Sequence, residues 1–253
     1  MLHNSERIRQ FLVIIATAGV IFFNYLAATG SLGGIETGAV SDKYPTLVTP
    51  AGYAFSIWSL IYLGGAAFSV YQALPANAQR FRSIRSVYIL SCAANCAWLY
   101  FWHQEAILLS AAMIFLLLGT LAFINIKLQK TETIGDFWLV KFPFGIYFGW
   151  VTAATIVNAA VVLVYLKVQV SGSVAVMLGA GLVLIATALG IIIRFKLNNV
   201  FYSLAIAWAL AAIAIKQSGQ TLIVASAAIA VNILLIVTLT FLINLPSRSS
   251  SNE

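Results

Sequence analysis

Eight stretches of apolar residues divide the chain, at roughly 10–28, 51–73, 85–102, 105–126, 138–166, 173–193, 199–215 and 220–243. Each is near the ~20 residues that a helix needs to cross the hydrocarbon core of a bilayer. The fifth stretch carries the clearest pattern. Within it Tyr147, Trp150, Ala154, Asn158, Val161 and Tyr165 recur at steps of three and four, so they share one helical face. A lipid-facing helix has no reason to gather Tyr, Trp and Asn along one stripe. A helix lining a pocket does, and so does a helix packed on its neighbours. The second run repeats the pattern with Phe55, Trp58, Tyr62, Gly65 and Ser69, and the third with Tyr88, Ser91, Asn95, Trp98 and Trp102. An interfacial aromatic belt accounts for Trp102, Trp138 and Tyr165 near run ends, but less readily for Trp98 or Trp150. Indole, phenol and carboxamide groups separated by small residues suit a large, flat, mostly apolar ligand.

Composition fixes the solvent. Of 253 residues, 62% are hydrophobic and 8% charged, and no soluble domain hides that much apolar surface. The predicted class is an all-α integral membrane protein of about eight transmembrane helices, with the bilayer as its first partner. The net charge of +7 does not indicate nucleic acid, because the basic residues are spread between apolar runs. Placing the amino terminus inside puts only Lys43, Lys167 and Lys216 of the fourteen Lys and Arg residues outside. The positive-inside rule therefore predicts both termini on the cytoplasmic side of a bacterial inner membrane or an organelle membrane. The first run exceeds the apolar region of a signal peptide, about 7–15 residues, and is expected to be retained as a helix. Between runs one and two, Thr29–Pro50 is rich in Gly and Pro and is expected to form a lid or binding loop rather than a disordered connector. Residues 247–253 read as a disordered tail.

Candidate chemistry inside the membrane is limited. No Asp, Glu, Lys or Arg lies mid-run, which argues against a carboxylate proton relay. His103, Glu105 and Asp136 fall at run ends, where water is expected to reach them as helix caps. The mid-run polar residues are Asn24, Asn95, Asn125, Asn158 and Asn232. Asn24, Asn125 and Asn232 are expected to act as helix–helix glue. Cys92 and Cys96, one turn apart, read as small apolar residues rather than as a disulfide or a metal site. No nucleophile–base pair and no metal cluster is evident, so enzymatic activity is left open, with no obligatory cofactor.

Three segments together resemble the TspO/MBR family, the tryptophan-rich sensory proteins of bacteria and the mitochondrial translocator protein. Pro45-Thr-Leu-Val-Thr-Pro50-Ala-Gly-Tyr53-Ala-Phe55-Ser-Ile-Trp58, followed by Tyr62, resembles the family's proline-rich approach to its second helix. Ala94-Asn95-Cys96-Ala97-Trp98 resembles its N-W-x-W element, and Tyr147-Phe-Gly-Trp150-Val-Thr-Ala-Ala154-Thr-Ile-Val-Asn158 its fifth-helix signature. Tyr53, Ser56 and Cys96 stand where the family carries Trp, Pro and Trp. The resemblance covers about residues 1–167 and implies a five-helix bundle whose pocket is closed by the first loop. Residues 168–246 would then add three membrane helices, expected to be a packing partner or a dimer interface. The resemblance implies binding of a tetrapyrrole such as protoporphyrin IX, or of a sterol-like molecule. The implied pocket residues are Tyr53, Trp58, Tyr62, Asn95, Trp98, Tyr147, Trp150, Ala154, Val157 and Asn158. Val161, Tyr165 and Lys167 fit a sterol-contact pattern. Gly145-x-x-x-Gly149 permits close helix approach, within the chain or in a homodimer. The function expected is ligand binding or sensing, with transport included. Alternatives are light-dependent porphyrin degradation and a small-metabolite carrier, although no inverted repeat of the kind carriers show is evident.

Overall fold

The computed structural model of the chain describes residues 4–130, 133–168, 170 and 172–243. The tail at 247–253 lies outside them. Among the described residues every regular element is helical: α1 (Asn4–Ala28), α2 (Thr37–Lys43), α3 (Ile57–Tyr71), α4 (Arg85–His103), α5 (Ile107–Lys127), the single turn α6 (Ile134–Asp136), α7 (Phe142–Tyr165), α8 (Gly172–Lys196), α9 (Val200–Lys216) and α10 (Thr221–Ile243). A 3-10 turn, Gly52–Ser56, leads into α3, and a π-helical turn, Phe137–Lys141, joins α6 to α7.

The eight long helices fall on the eight apolar runs. Among the described residues six stretches are long and apolar enough to cross a membrane: Ser5–Ala28, Gly52–Tyr71, Ile107–Lys127, Ile134–Tyr165, Gly172–Lys196 and Thr221–Thr240. The helices α4 and α9 fall short of that measure. α9 has 17 residues, about 25 Å of helix against a hydrocarbon core of about 30 Å. α4 carries Arg85, Ser91, Asn95 and His103, which lower its hydropathy, and it buries all four. Each packs among other long helices: α4 on α1 and α5, α9 on α7, α8 and α10. A helix shielded by its neighbours needs less apolar surface than one facing lipid.

Glycines set the closest approach. A Cβ on Gly149 would fall on the Tyr202 carbonyl oxygen and 2.8 Å from the Ala205 Cβ, and one on Gly145 on the Asn199 carboxamide. The Gly145-x-x-x-Gly149 spacing is therefore used inside the chain, where α7 lies flush on α9. Asn199 completes this seam. Its amide nitrogen donates to the Lys141 carbonyl at 3.1 Å and to Asn125 Oδ1 at 3.3 Å, while its oxygen caps α9 by accepting from Phe201 N–H.

Charged groups gather at the end of the bundle that holds the start of α1. Arg85, 0% exposed, reaches Glu6 at 3.0 Å, Gln72 Oε1 at 2.8 Å and the Ala78 carbonyl at 2.6 Å. Asp136 accepts from Arg80 at 2.6 Å, from Tyr71 at 3.1 Å and from the Thr133 N–H at 2.9 Å. It is buried, contrary to the expectation that water reaches it, because α3 and the α3–α4 connection cover it. His103 is buried as well, beneath α2.

Gly149→Ala is expected to destabilise the protein by about 1–3 kcal/mol, the usual cost of overpacking. Gly181→Ala, whose Cβ would meet nothing within 4 Å, is expected to be neutral or to stabilise by up to about 1 kcal/mol. Thermal unfolding in detergent compares the two, and equal midpoints would refute the α7–α9 seam.

Candidate functional site

The stripes read from the second, third and fifth runs meet in space. Trp58 of α3 lies at the centre. Its ring centroid is 5.7 Å from Trp98 of α4, 6.2 Å from Trp150 of α7 and 5.9 Å from Tyr147 of α7. Tyr62, one turn further along α3, stacks on it at 5.5 Å with the planes 10° apart. Phe55 meets Trp150 edge-on at 5.9 Å. Mixed stacked and edge-to-face geometry follows from the ring quadrupoles, each such pair adding about 0.5–1.5 kcal/mol beyond its buried area.

Amides tie the cluster to its helices. Asn95, fully buried, accepts from Asn24 Nδ2 at 2.8 Å and donates to the Tyr147 hydroxyl at 3.0 Å, joining α1, α4 and α7. Asn158 donates to the Ala154 carbonyl at 2.9 Å and accepts a long bond from Trp98 Nε1 at 3.4 Å. Two groups are left over. The Trp150 indole N–H is buried without an acceptor, and the Tyr62 hydroxyl sits beside Asn95 without hydrogen-bond geometry. A buried orphan of this kind costs about 1–3 kcal/mol, and a water or ligand atom reaching it would supply the missing partner.

Two cavities flank Trp58. The inner one, bordered by Trp98, Trp150, Ala154, Val157 and Asn158, has a volume of about 30 Å³, room for little more than a water. The three tryptophans therefore close on one another and leave no slot for a flat ligand between them. The outer one is a groove of about 660 Å³ between α1 and α3, lined by Asn24, Phe55, Trp58, Tyr62 and Thr37 and rimmed by Tyr25 and Leu63. Its size lies within the usual ligand range of about 300–1,000 Å³.

The loop 29–50 is ordered over this end of the bundle. Thr37 Oγ1 meets His103 Nε2 at 3.1 Å, and the Thr37 carbonyl accepts from Trp102 Nε1 at 3.1 Å. Trp102 is thus buried under the loop and does not belong to an interfacial belt. Val40, 0% exposed, packs with Trp102, Ile107 and Val161. Lys43 reaches Glu105 at 2.6 Å and Tyr44 donates to it at 2.8 Å. Gln217 donates to the carbonyls of Thr46 and Thr49. The Lys43 and Tyr44 hydrogen bonds hold the Glu105 carboxyl below its ordinary range. Partial burial and the Glu105 carboxylate push Tyr44 up to about 12.

Four of the expected site residues take other positions. Tyr53 is exposed and meets Trp208 of α9 edge-on at 5.3 Å, outside the cluster. Of the sterol-pattern residues, Val161 is buried under the loop, Tyr165 lies against Tyr44 at 6.3 Å, and Lys167 follows the end of α7 with φ +56°. They form no continuous lipid-facing stripe. Two contributions were missed as site residues. Asn24, read as glue, does bond Asn95 but also lines the groove. Ala209 and Ile213 of α9 close the inner cavity, and their small apolar side chains carry no distinctive signal in sequence.

A family model described as "TSPO-like protein" matches residues 10–241. The match continues beyond the 1–167 segment that carries the motifs and takes in α8, α9 and most of α10. Neither curated proteins nor solved structures give a match to the chain.

The Glu105 clamp sets a pH dependence. Because the folded carboxyl has the lower pKa, its contribution is present above the ordinary carboxylate range, and it is lost as pH falls through the folded value. Hydrogen exchange of residues 37–49, corrected for intrinsic rate, is expected to quicken as pH drops below about 4.5. Glu105→Gln is expected to exchange fast already at neutral pH and to lose that dependence. Unchanged protection in Glu105→Gln would refute the clamp.

Proposed function

The chain belongs to the TSPO-like protein family, and on that premise we propose that it binds a flat, largely apolar ligand of the porphyrin class from within the membrane. It is an integral, multi-pass membrane protein of a family associated with membrane sensing and binding. The observation that carries the proposal is the position of Trp58. Its side chain lines both the groove of about 660 Å³ and the small cavity of the tryptophan cluster. A ligand in the groove would meet an aromatic wall of Phe55, Trp58 and Tyr62, held from behind by Trp98, Tyr147 and Trp150. That rigid backing is what a stacking surface needs, because little side-chain entropy is left to lose on binding. The groove opens sideways between α1 and α3 past Tyr25 and Leu63, so an apolar ligand would arrive from the bilayer, with the loop and α2 shielding it from water.

The same reading places the amino terminus and the far end of α10 on the cytoplasmic side. It is supported by the gathering of Arg7, Arg9, Arg80, Arg82 and Arg85 at one end of the bundle, against Lys43, Lys167 and Lys216 at the other. The ligand groove then lies toward the outer face.

Protoporphyrin IX is expected to quench tryptophan fluorescence of the purified protein saturably. Trp58→Leu is expected to weaken binding several-fold, equivalent to about 1 kcal/mol for one lost stacking partner. Trp138→Leu, at the opposite end, is expected to bind as the parent does. No saturable quenching, or equal affinity in Trp58→Leu, would contradict the proposal.

A further inference from the structure

At the end of the bundle away from the groove, two largely buried cations lie on neighbouring elements, and among the described residues neither has a counter-charge. Lys141 closes the π-helical turn before α7, and Arg194 lies in the last turn of α8. They are 6% and 3% exposed. Asn199 holds both elements in place, its backbone N–H on the Arg194 carbonyl at 3.1 Å and its side chain on the Lys141 carbonyl at 3.1 Å. Arg194 uses Nη1 on Asn198 Oδ1 at 3.1 Å, and its Nε is buried with no partner. Among the described residues neither cation has a carboxylate partner. This contrasts with the nearby Arg85, Arg80 and Asp136, which are fully paired.

Like charges on neighbouring elements repel one another, and the buried Arg194 Nε has neither water nor a protein acceptor. Charged residues retained at membrane depth commonly mark a site of ion or substrate contact, and an anion from outside the chain would offset both of these charges. We propose that Lys141 and Arg194 form a binding site for a phosphate group, supplied by the headgroup of an anionic lipid. An Arg fork with a free Nε and a neighbouring ammonium matches phosphate oxygens. The depth fits a lipid source. Trp138, three residues before Lys141, is 53% exposed and packs with Phe142 and Phe201 at 5.9 and 6.0 Å. An exposed Trp on an aromatic ledge marks the interfacial zone, where lipid phosphates reside. Basic pockets between helices on the cytoplasmic side are suited to anionic headgroups. The π-helical turn is itself a form enriched at binding sites.

The test is thermal unfolding of the full chain in neutral detergent. Phosphatidylglycerol, phosphatidylcholine and inorganic phosphate are titrated separately. Phosphatidylglycerol is expected to raise the midpoint saturably and phosphatidylcholine to leave it unchanged. In Lys141→Gln and in Arg194→Gln the half-effect concentration is expected to rise about tenfold or more, the usual loss for a charged hydrogen bond. Lys196→Gln, an exposed cation at the same end, is expected to respond like the parent. A saturable rise with inorganic phosphate, lost in the same two variants, would support the site with free phosphate as its source. Without added lipid, Lys141→Gln is expected to keep or raise the midpoint, because repulsion is relieved. A large drop there would make Lys141 a structural residue and overturn the proposal. So would the absence of any anion response, or a response equal in the parent and the Lys141 and Arg194 variants.

Discussion

A polar group inside a bilayer has to find its partner within the protein, and Asn95 is where that constraint organises this molecule. Its carboxamide takes a hydrogen bond from Asn24 and gives one to Tyr147, so one side chain fixes α1, α4 and α7 relative to each other. Thr17 and Tyr88 repeat the device one layer away, at 2.8 Å. Thr152, Thr155 and Thr187 are satisfied more cheaply, each by the carbonyl one turn back on its own helix. Against this background the buried side-chain atoms without partners stand out: Tyr62 Oη, Trp150 Nε1, His103 Nδ1 and Arg194 Nε. Two belong to the aromatic cluster, one lies under the loop that covers it, and one belongs to the cation pair at the other end.

The helices and their inward faces were legible in the sequence because both follow from a 3.6-residue period. Tyr88, Ser91, Asn95, Trp98 and Trp102 were read as one stripe, and all five are buried. Tyr53, placed at the site by the family resemblance and not by the helical stripe, lies where the period breaks. Gly52–Ser56 is a 3-10 turn, with three residues per turn instead of 3.6. Tyr53 is thereby turned onto Trp208 while Phe55 reaches Trp150. Burial at helix ends was also illegible. Asp136 and His103 look like caps facing water, and only the partners brought by other segments cover them.

The small cavity among the tryptophans was not foreseeable either. Three indoles on facing stripes predict convergence, but the space left between them depends on how closely α3, α4 and α7 approach. Gly64 allows α3 to sit on Pro143 of α7, where an added Cβ would come within 2.5 Å. The ligand-sized space is instead the groove between α1 and α3, which Trp58 also lines. The C-terminal helices are part of the same construction. Ala209 and Ile213 close the inner cavity, and Trp208 donates to the Ala54 carbonyl at 3.0 Å, bracing the turn that leads into α3. That bracing fits a family match running on to residue 241.

The central claim is that Trp58 is the wall between a closed tryptophan cluster and an open ligand groove. It is tested most directly by a structure of the protein in lipid nanodiscs with protoporphyrin IX bound. The macrocycle is predicted to lie between α1 and α3 against Trp58 and Tyr62, with Trp98 and Trp150 still packed behind. Density for the macrocycle at Trp208, at Trp138 or on any surface that leaves the α1–α3 groove empty would contradict it.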